Sequence, residues 1–216
     1  MSIFDPFAVG SYLVVPYRPF VGNQAKNARI LDECVKHPER FTLPMARADI
    51  MTTAAWYLTD PNNLAWEVWN GSEILGIFLL DRIVPGVDAR WHFVFFDGNL
   101  TGKQALLFAF LERAFAVPLE RISLEVPENV ASLISFVRRK LGFQYEGGDR
   151  KGSRREHSHY DGVRWHDVVL LRLLRKDYQC PSLPLSVPPS LEPVGISPVP
   201  SSIAQVAPPS LETSKV

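Results

Sequence analysis

Along this chain the spacing of apolar positions alternates between a period of two and a period near 3.6, and each switch marks a change of element. Tyr12 to Pro16 is a short apolar run closed by proline, the pattern of an edge strand. From Asn23 onward, Ala28, Ile30, Leu31, Cys34 and Val35 recur in a polar frame, which predicts a helix ending before Pro38. A second helix is expected over Ala46 to Leu58, stopped by Asp60-Pro61. Leu64 to Asn70 alternates, with Leu64, Trp66 and Val68 on one face and Ala65, Glu67 and Trp69 on the other. Asn70-Gly71-Ser72 supplies turn chemistry into a strand from Ile74 to Val84. Pro85-Gly86 then breaks that strand before an aromatic, β-branched run, Arg90 to Phe96, that ends at Asp97-Gly98.

The pattern next turns helical, with Leu106, Leu107, Phe110, Leu111, Ala114 and Phe115 on one broad face. Lys103, Glu112 and Arg113 are expected to face water. The start is expected near Thr101, with Thr101 or Asn99 as cap. Arg121 to Pro127 reads as a strand that must run parallel to the aromatic one if the helix between them is a crossover. Asn129 to Leu141 carries an apolar stripe of Val130, Leu133, Ile134, Val137 and Leu141. Arg138, Arg139 and Lys140 occupy its last turn, and Gly142 is placed for the C-terminal cap. Phe143 to Glu146 and Val163 to Leu174 read as final strands joined by a polar, basic loop. The order of elements is that of a mixed α+β domain.

From Gln179 the composition shifts to Pro, Ser and isolated aliphatics without period, and PPSLE occurs twice, at Pro188–Glu192 and Pro208–Glu212. The expected division is a folded domain over 1–178 and a disordered Pro/Ser-rich tail over 179–216, an inert tether or a docking segment for a protein partner. Across 216 residues, 46% are hydrophobic and 21% charged, within the range of a globular protein. The 23 basic residues equal the 23 acidic ones, which removes the electrostatic footprint of a nucleic-acid-binding protein. No stretch has the length and apolarity of a membrane span, so no membrane role is expected. Cys34 and Cys180 lack Cys or His neighbours at metal-ligand spacing; no metal is expected, and both read as free thiols of a cytoplasmic protein.

The chemistry-bearing stretch is Arg90 to Phe115. A strand, a polar turn and a helix N-terminus together form an anion-binding device, because the first amides of a helix have no internal acceptor. Gly102 lets a ligand approach that backbone. An ordinary strand-to-helix corner has the same pattern. No Ser/His/Asp order and no Walker-type loop is present.

The phrase from Arg121-Ile-Ser-Leu-Glu-Val-Pro through Asn129 to Leu141-Gly142-Phe143, followed by the closing strand Tyr160 to Arg175, resembles the GCN5-related N-acetyltransferases (GNAT) in order and ending. The resemblance spans Tyr12 to Tyr178. It implies a GNAT-like acyl-CoA N-acyltransferase fold, a central mostly antiparallel sheet with helices on both faces and one parallel strand pair splayed at the cofactor site. The implied co-substrate is acetyl-CoA, and the implied activity is direct acyl transfer to a small-molecule or protein amine acceptor. Its pyrophosphate would lie on the amides of Thr101, Gly102, Lys103, Gln104 and Ala105; Asn129 would bond the pantetheine arm and Phe136 would lie beside it. A plain helix N-cap is the other reading of Asn129.

The thioester carbonyl would be held by a main-chain N–H near Phe95. His92 is the first candidate base and Glu125 the second, with Asp81 and Glu67 behind them. Two departures stand out. The phosphate loop of the family reads Q/R-x-x-G-x-G/A, whereas Asn99-Leu-Thr-Gly-Lys-Gln places Gln104 where little side chain is expected, and the alternative alignment Thr101-Gly-Lys-Gln-Ala-Leu puts Gln104 and Leu106 in place of both glycines. The tyrosine that many relatives use to protonate the departing thiolate falls near Leu170. These departures set a second expectation beside the enzyme, a catalytically inactive GNAT-fold protein serving as a binding or assembly module. The basic loop, with Arg150, Lys151, Arg154 and Arg155 beside His157 and His159, could steer an acidic substrate or the 3′-phosphate of CoA.

Overall fold

The computed structural model describes residues 3–18, 24–37, 50–160 and 164–179. The expected start of the second helix at Ala46 and the tail from Cys180 onward lie outside them. The chain order is β1 (Phe7–Val9), β2 (Tyr12–Pro16), α1 (Gln24–Lys36), α2 (Ile50–Thr59), β3 (Leu64–Asn70), β4 (Glu73–Val84), β5 (Asp88–Phe95), α3 (Gln104–Ala116), β6 (Arg121–Pro127), α4 (Ala131–Leu141), β7 (Gln144–Tyr145), β8 (Arg154–Tyr160) and β9 (Trp165–Leu174). One sheet holds all the strands in the order β1-β2-β3-β4-β5-β6-β9-β7, with β8 also on β9. Every pairing is antiparallel except β5 with β6. No described helix is long and apolar enough to cross a membrane.

Alternation along each strand sends its side chains to two separate cores. Trp66, Phe78, Trp91, Ile122 and Leu171 point to one face, where α3 and α4 cover them. There the Trp91 ring stacks on Phe110 at 5.3 Å, and Phe110 meets Phe78 edge-on at 4.7 Å. On the other face Ile77 and Val94 pack against Ile30, Cys34, Ala54 and Leu58 of α1 and α2. Each such large apolar side chain contributes roughly 1.5–3 kcal/mol by leaving water, so both faces of the sheet contribute to its stability.

Three sequence expectations are corrected. The expected loop between Phe143 and Val163 contains a strand, β8, paired with β9 from Arg154↔Val169 to Tyr160↔Trp165. Its residues, RREHSHY, carry no apolar alternation because it is an edge strand with mostly exposed side chains. The short strand β1, before the Gly10 turn, was also not expected. Helix α3 begins at Gln104, not near Thr101, and Lys103 stands at its N-cap without a side-chain cap bond. The α4 helix ends as expected: Gly142 is left-handed at φ 82°, and its N–H donates to the Val137 carbonyl.

Candidate functional site

Strands β5 and β6 pair over only three positions, Asp88↔Arg121, Ala89↔Ile122 and Arg90↔Ser123. Beyond Arg90 each strand continues, but toward different partners: β5 stays on β4 as far as Gly76↔Phe95, and β6 stays on β9 as far as Pro127↔Val168. The sheet therefore opens into a wedge of about 310 Å³ lined by Trp91 to Phe95 on one side, Leu124 to Pro127 on the other, and Leu100, Val130 and Leu133 at its helical end.

Ladder geometry fixes which backbone groups face this wedge. The Phe96 N–H donates to the Leu75 carbonyl at 2.7 Å, so Leu75 and Phe96 are a hydrogen-bonded pair. In an antiparallel ladder such pairs alternate along the strand, so Phe93 and Phe95 turn their N–H and C=O groups away from β4 and into the wedge. The same alternation applies to β6. Glu128 donates to Asp167 on β9 at 2.8 Å, which leaves the Glu125 backbone facing β5.

The wedge abuts the loop before α3. There the Asn99 N–H donates to Asp97 Oδ1 at 3.0 Å and the Thr101 N–H to Asn99 Oδ1 at 2.8 Å. Neither Thr101 nor Asn99 caps the helix; both belong to successive turns. Gly102 sits at φ 76°, exposed, with no atom within 4 Å of where a Cβ would be. In α3 the first ladder bond runs from the Leu107 N–H to the Lys103 carbonyl at 3.1 Å. The amides of Gln104, Ala105 and Leu106 consequently have no acceptor within the helix.

Lys103 does not face water. It is 3% exposed, its ammonium bonds both Asp97 oxygens at 2.7 and 2.6 Å and the Asn99 carbonyl at 2.6 Å, and it lies 4.5 Å above the Phe95 ring. Burial raises the Asp97 carboxyl, but the hydrogen bonds from Lys103 and the Asn99 amide, with the charge of Lys103, together outweigh it and the net shift is downward. The side chain of Lys103 is therefore a strut under the loop, and its backbone is spent as well, the N–H on the Leu100 carbonyl and the C=O on the Leu107 N–H. Gln104 reaches across to the Lys140 carbonyl at 3.4 Å, where it serves the last turn of α4.

The remaining candidates divide by face. Asn129 is not the N-cap of α4, which is Val130; its carboxamide lies 3.4 Å from His166 Nε2. Phe136 is half-buried on α4 against the edge of the main core, with Ser132 and Lys140 beside it, rather than in the wedge. Phe95 is buried, with its ring in the α3–α4 core. Leu170 lies opposite Glu125 in the β6–β9 register. Glu67 is buried on β3 away from the wedge, held by Lys26 and by the Trp69 indole at 2.9 Å.

On the face of α1 and α2, a charged group bridges three strands across the base of the wedge. Arg90 forms a two-pronged pair with Asp81, 2.8 Å from Nε to Oδ1, and reaches Glu125 Oε2 at 3.0 Å. His92 Nε2 stands 3.2 Å from Asp81 Oδ1. Burial pushes the Asp81 carboxyl up, yet the bonds from Arg90 and His92 more than offset it and hold the group well below the usual carboxylate range. Arg90 is pushed down by burial and up further by Asp81, so the pair is fully ionised. Glu125 also accepts from Arg155 at 2.9 Å and has Arg82 at 3.9 Å. Arg90 and Arg82 are not among the candidates that the sequence pattern offers. The signal was there, since a hairpin folded about Pro85-Gly86 sets Asp81 opposite Arg90.

No family model matches the sequence, and a comparison with curated proteins finds no relative. Solved structures do match. A chain from Chromobacterium violaceum, described as a probable acetyltransferase of the GNAT family, superposes with a TM-score of 0.61 at 16% identity, covering 80% of this chain and 92% of that one. The spermidine N-acetyltransferase of Vibrio cholerae, solved with CoA and spermine, gives 0.57 at 14% identity, covering 78% of this chain and 98% of that one. The fold is that of the GNAT acetyltransferases. In this GNAT fold the splayed parallel pair, the helices on both faces and the mostly antiparallel sheet are all present, as the resemblance implied.

Proposed function

We propose that the chain is an acyl-CoA-dependent N-acyltransferase that takes acetyl-CoA and an amine. The observation that carries this reading is the wedge: two strand edges with outward backbone groups, ending at a helix N-terminus whose first three amides lack acceptors. The pantetheine arm bears two amides and suits the facing edges at Phe93, Phe95 and Glu125. A pyrophosphate suits the amides of Gly102, Gln104 and Ala105, where Gly102 leaves open space and the helix dipole is positive; the Thr101 and Lys103 N–H groups are already spent on Asn99 Oδ1 and the Leu100 carbonyl. Acetyl-CoA supplies an activated thioester; the chain supplies position and a proton path.

The amine nitrogen attacks the thioester carbonyl, whose oxygen takes up charge beside the main-chain N–H of Phe95 or Phe93. His92 accepts the proton. With Nε2–H donating to Asp81, its other ring nitrogen is left as the acceptor, and Asp81 holds the tautomer. Glu125 is less available to take the proton than His92, because guanidiniums engage both of its oxygens. The thiolate then departs without a tyrosine, since Leu170 has no proton to give.

Calorimetric titration with acetyl-CoA and continuous assay of thiol release across an amine panel test the reading together. Binding with turnover supports it, and Gly102→Val should weaken binding by straining a left-handed residue at the phosphate site. Binding without turnover on any amine would favour the inactive module; no heat at millimolar acetyl-CoA would end the transferase reading. Given turnover, His92→Ala is expected to lower it by roughly 10²-fold with acetyl-CoA affinity unchanged.

A further inference from the structure

The acceptor side of the wedge carries a surplus of guanidinium. Five charged side chains converge there: Arg82, Arg90 and Arg155 against Asp81 and Glu125, with the His92 imidazole among them. Tyr57 of α2 is the other titratable group within electrostatic reach of Arg90. The three cations are not equivalent. Arg90 is buried and saturated by the two carboxylates, whereas Arg82 and Arg155 are 60% and 47% exposed, flanking Glu125 from β4 and from β8. Both carboxylates are thus already neutralised, and what the site presents outward is guanidinium.

The backbone goes out of its way to produce this. Among the described residues, the non-glycine residues with positive φ are Arg82 at 49° and His157 at 46°. Both stand at register shifts, between Asp81 and Val84 on β4 and between Arg155 and His159 on β8. Strict alternation would send Arg82 to the α3–α4 face, opposite to Asp81; the bulge turns it to the acceptor side within 3.9 Å of Glu125. An L-residue in that conformation is strained and is held there by its surroundings.

From this placement we infer that the amine acceptor is a small molecule carrying a carboxylate near its reacting nitrogen, an amino-acid-like amine held by Arg82 and Arg155, and not a polyamine. The inference rests on the transferase reading of the same wedge. Two planar forks on either side of the mouth match the geometry of a carboxylate. The same positive surplus disfavours the ammonium form of an amine bound beside His92, which eases its deprotonation. A polycation would meet repulsion there, because the two carboxylates described at the site, Asp81 and Glu125, are already paired with guanidinium.

The test uses the full chain at saturating acetyl-CoA, with thiol release measured for amino acids against their own amides and against spermidine. The acids are expected to exceed their amides at least tenfold in kcat/KM, and spermidine is expected to be the poorest acceptor. In Arg82→Gln, Arg155→Gln and the double variant the acid-to-amide ratio should fall stepwise toward one, with Arg155→Lys retaining part of it and acetyl-CoA affinity unchanged. Amides equal to acids, spermidine ahead of both, acidic peptides accepted while free amino acids are not, or a ratio that survives the double variant would each overturn the proposal. Calorimetry with N-acetylated aspartate, glutamate and alanine against their amides, without CoA, separates the two readings. Acid-selective heat that the double variant loses, beside a silent acetyl-CoA titration, would sink the transferase reading alone. Acetyl-CoA binding with no acid selectivity would sink the carboxylate site alone.

Discussion

A buried guanidinium is tolerated only when its charge and its donors are met on every side, and Arg90 is met by Asp81 within its own hairpin and by Glu125 across the wedge. Arg90→Met would leave two carboxylates facing a low-dielectric gap with one partner fewer each, and is expected to lower stability by about 3–5 kcal/mol in urea denaturation. The sign of its pH dependence follows from Asp81, whose carboxyl is held below its ordinary value of 3.8. The pair's contribution is complete above that value and is lost as pH falls beneath it, so parent and variant stabilities should converge only in acid. Cys34 offers a second check at this scale. It is 1% exposed, and burial, with Glu33 nearby, pushes its thiol up to about 12. In a Cys180→Ser background it should therefore resist disulfide reagents at pH 8 until the chain is unfolded, and rapid labelling of the native protein would contradict its burial.

At the scale of elements, Gly76 sets how closely β4 and β5 approach. A Cβ there would stand 2.1 Å from the Val94 carbonyl oxygen and 3.1 Å from the Phe95 Cα, both backbone atoms that cannot step aside. Gly76→Ala is expected to cost about 3 kcal/mol in thermal or urea unfolding, and a neutral outcome would mean that the two strands are not so tightly paired. Elements with strong period and clear punctuation were legible in the sequence, among them β3, β6 and α4 with its Gly142 cap. The less legible ones failed for separate physical reasons. β8 is a polar edge strand whose pairing comes from β9 rather than from its own pattern. The first turn of α3 was misplaced because Asn99 and Thr101, good capping residues, are used in consecutive turns instead. Lys103 looked like a solvated helix position, yet an aromatic ring and a carboxylate draw it inward. The wedge itself was legible only through the resemblance, because the divergence of two strands leaves no mark on the periodicity of either. The charged bridge below it was hidden because Arg90 lies in a strand that otherwise reads as apolar.

Over the whole molecule, the sheet is two ladders, β1 to β5 and β6 to β9, joined by three residue pairs, by the ion pairs of Glu125 with Arg90 and Arg82 and of Arg121 with Asp88, and by the helices α3 and α4 that straddle the join. A ligand lying in the wedge would touch both ladders, so its binding free energy adds directly to the stability of the folded state. At a concentration one hundred times its Kd, acetyl-CoA should stabilise the chain by about 2.7 kcal/mol. Amide exchange locates the effect more sharply than a melting curve. The N–H groups of Val94 and Phe96 are spent on β4 and should exchange slowly with or without ligand, whereas those of Phe93 and Phe95 point into the wedge and should exchange fast in the apo chain. Acetyl-CoA is expected to slow Phe93 and Phe95 together with Gln104 and Ala105, two sets of amides separated along the chain but lining one continuous path. Protection at Gln104 and Ala105 alone would describe an anion site that holds phosphate without drawing the pantetheine arm between the strands, and the acyl group would then never reach His92.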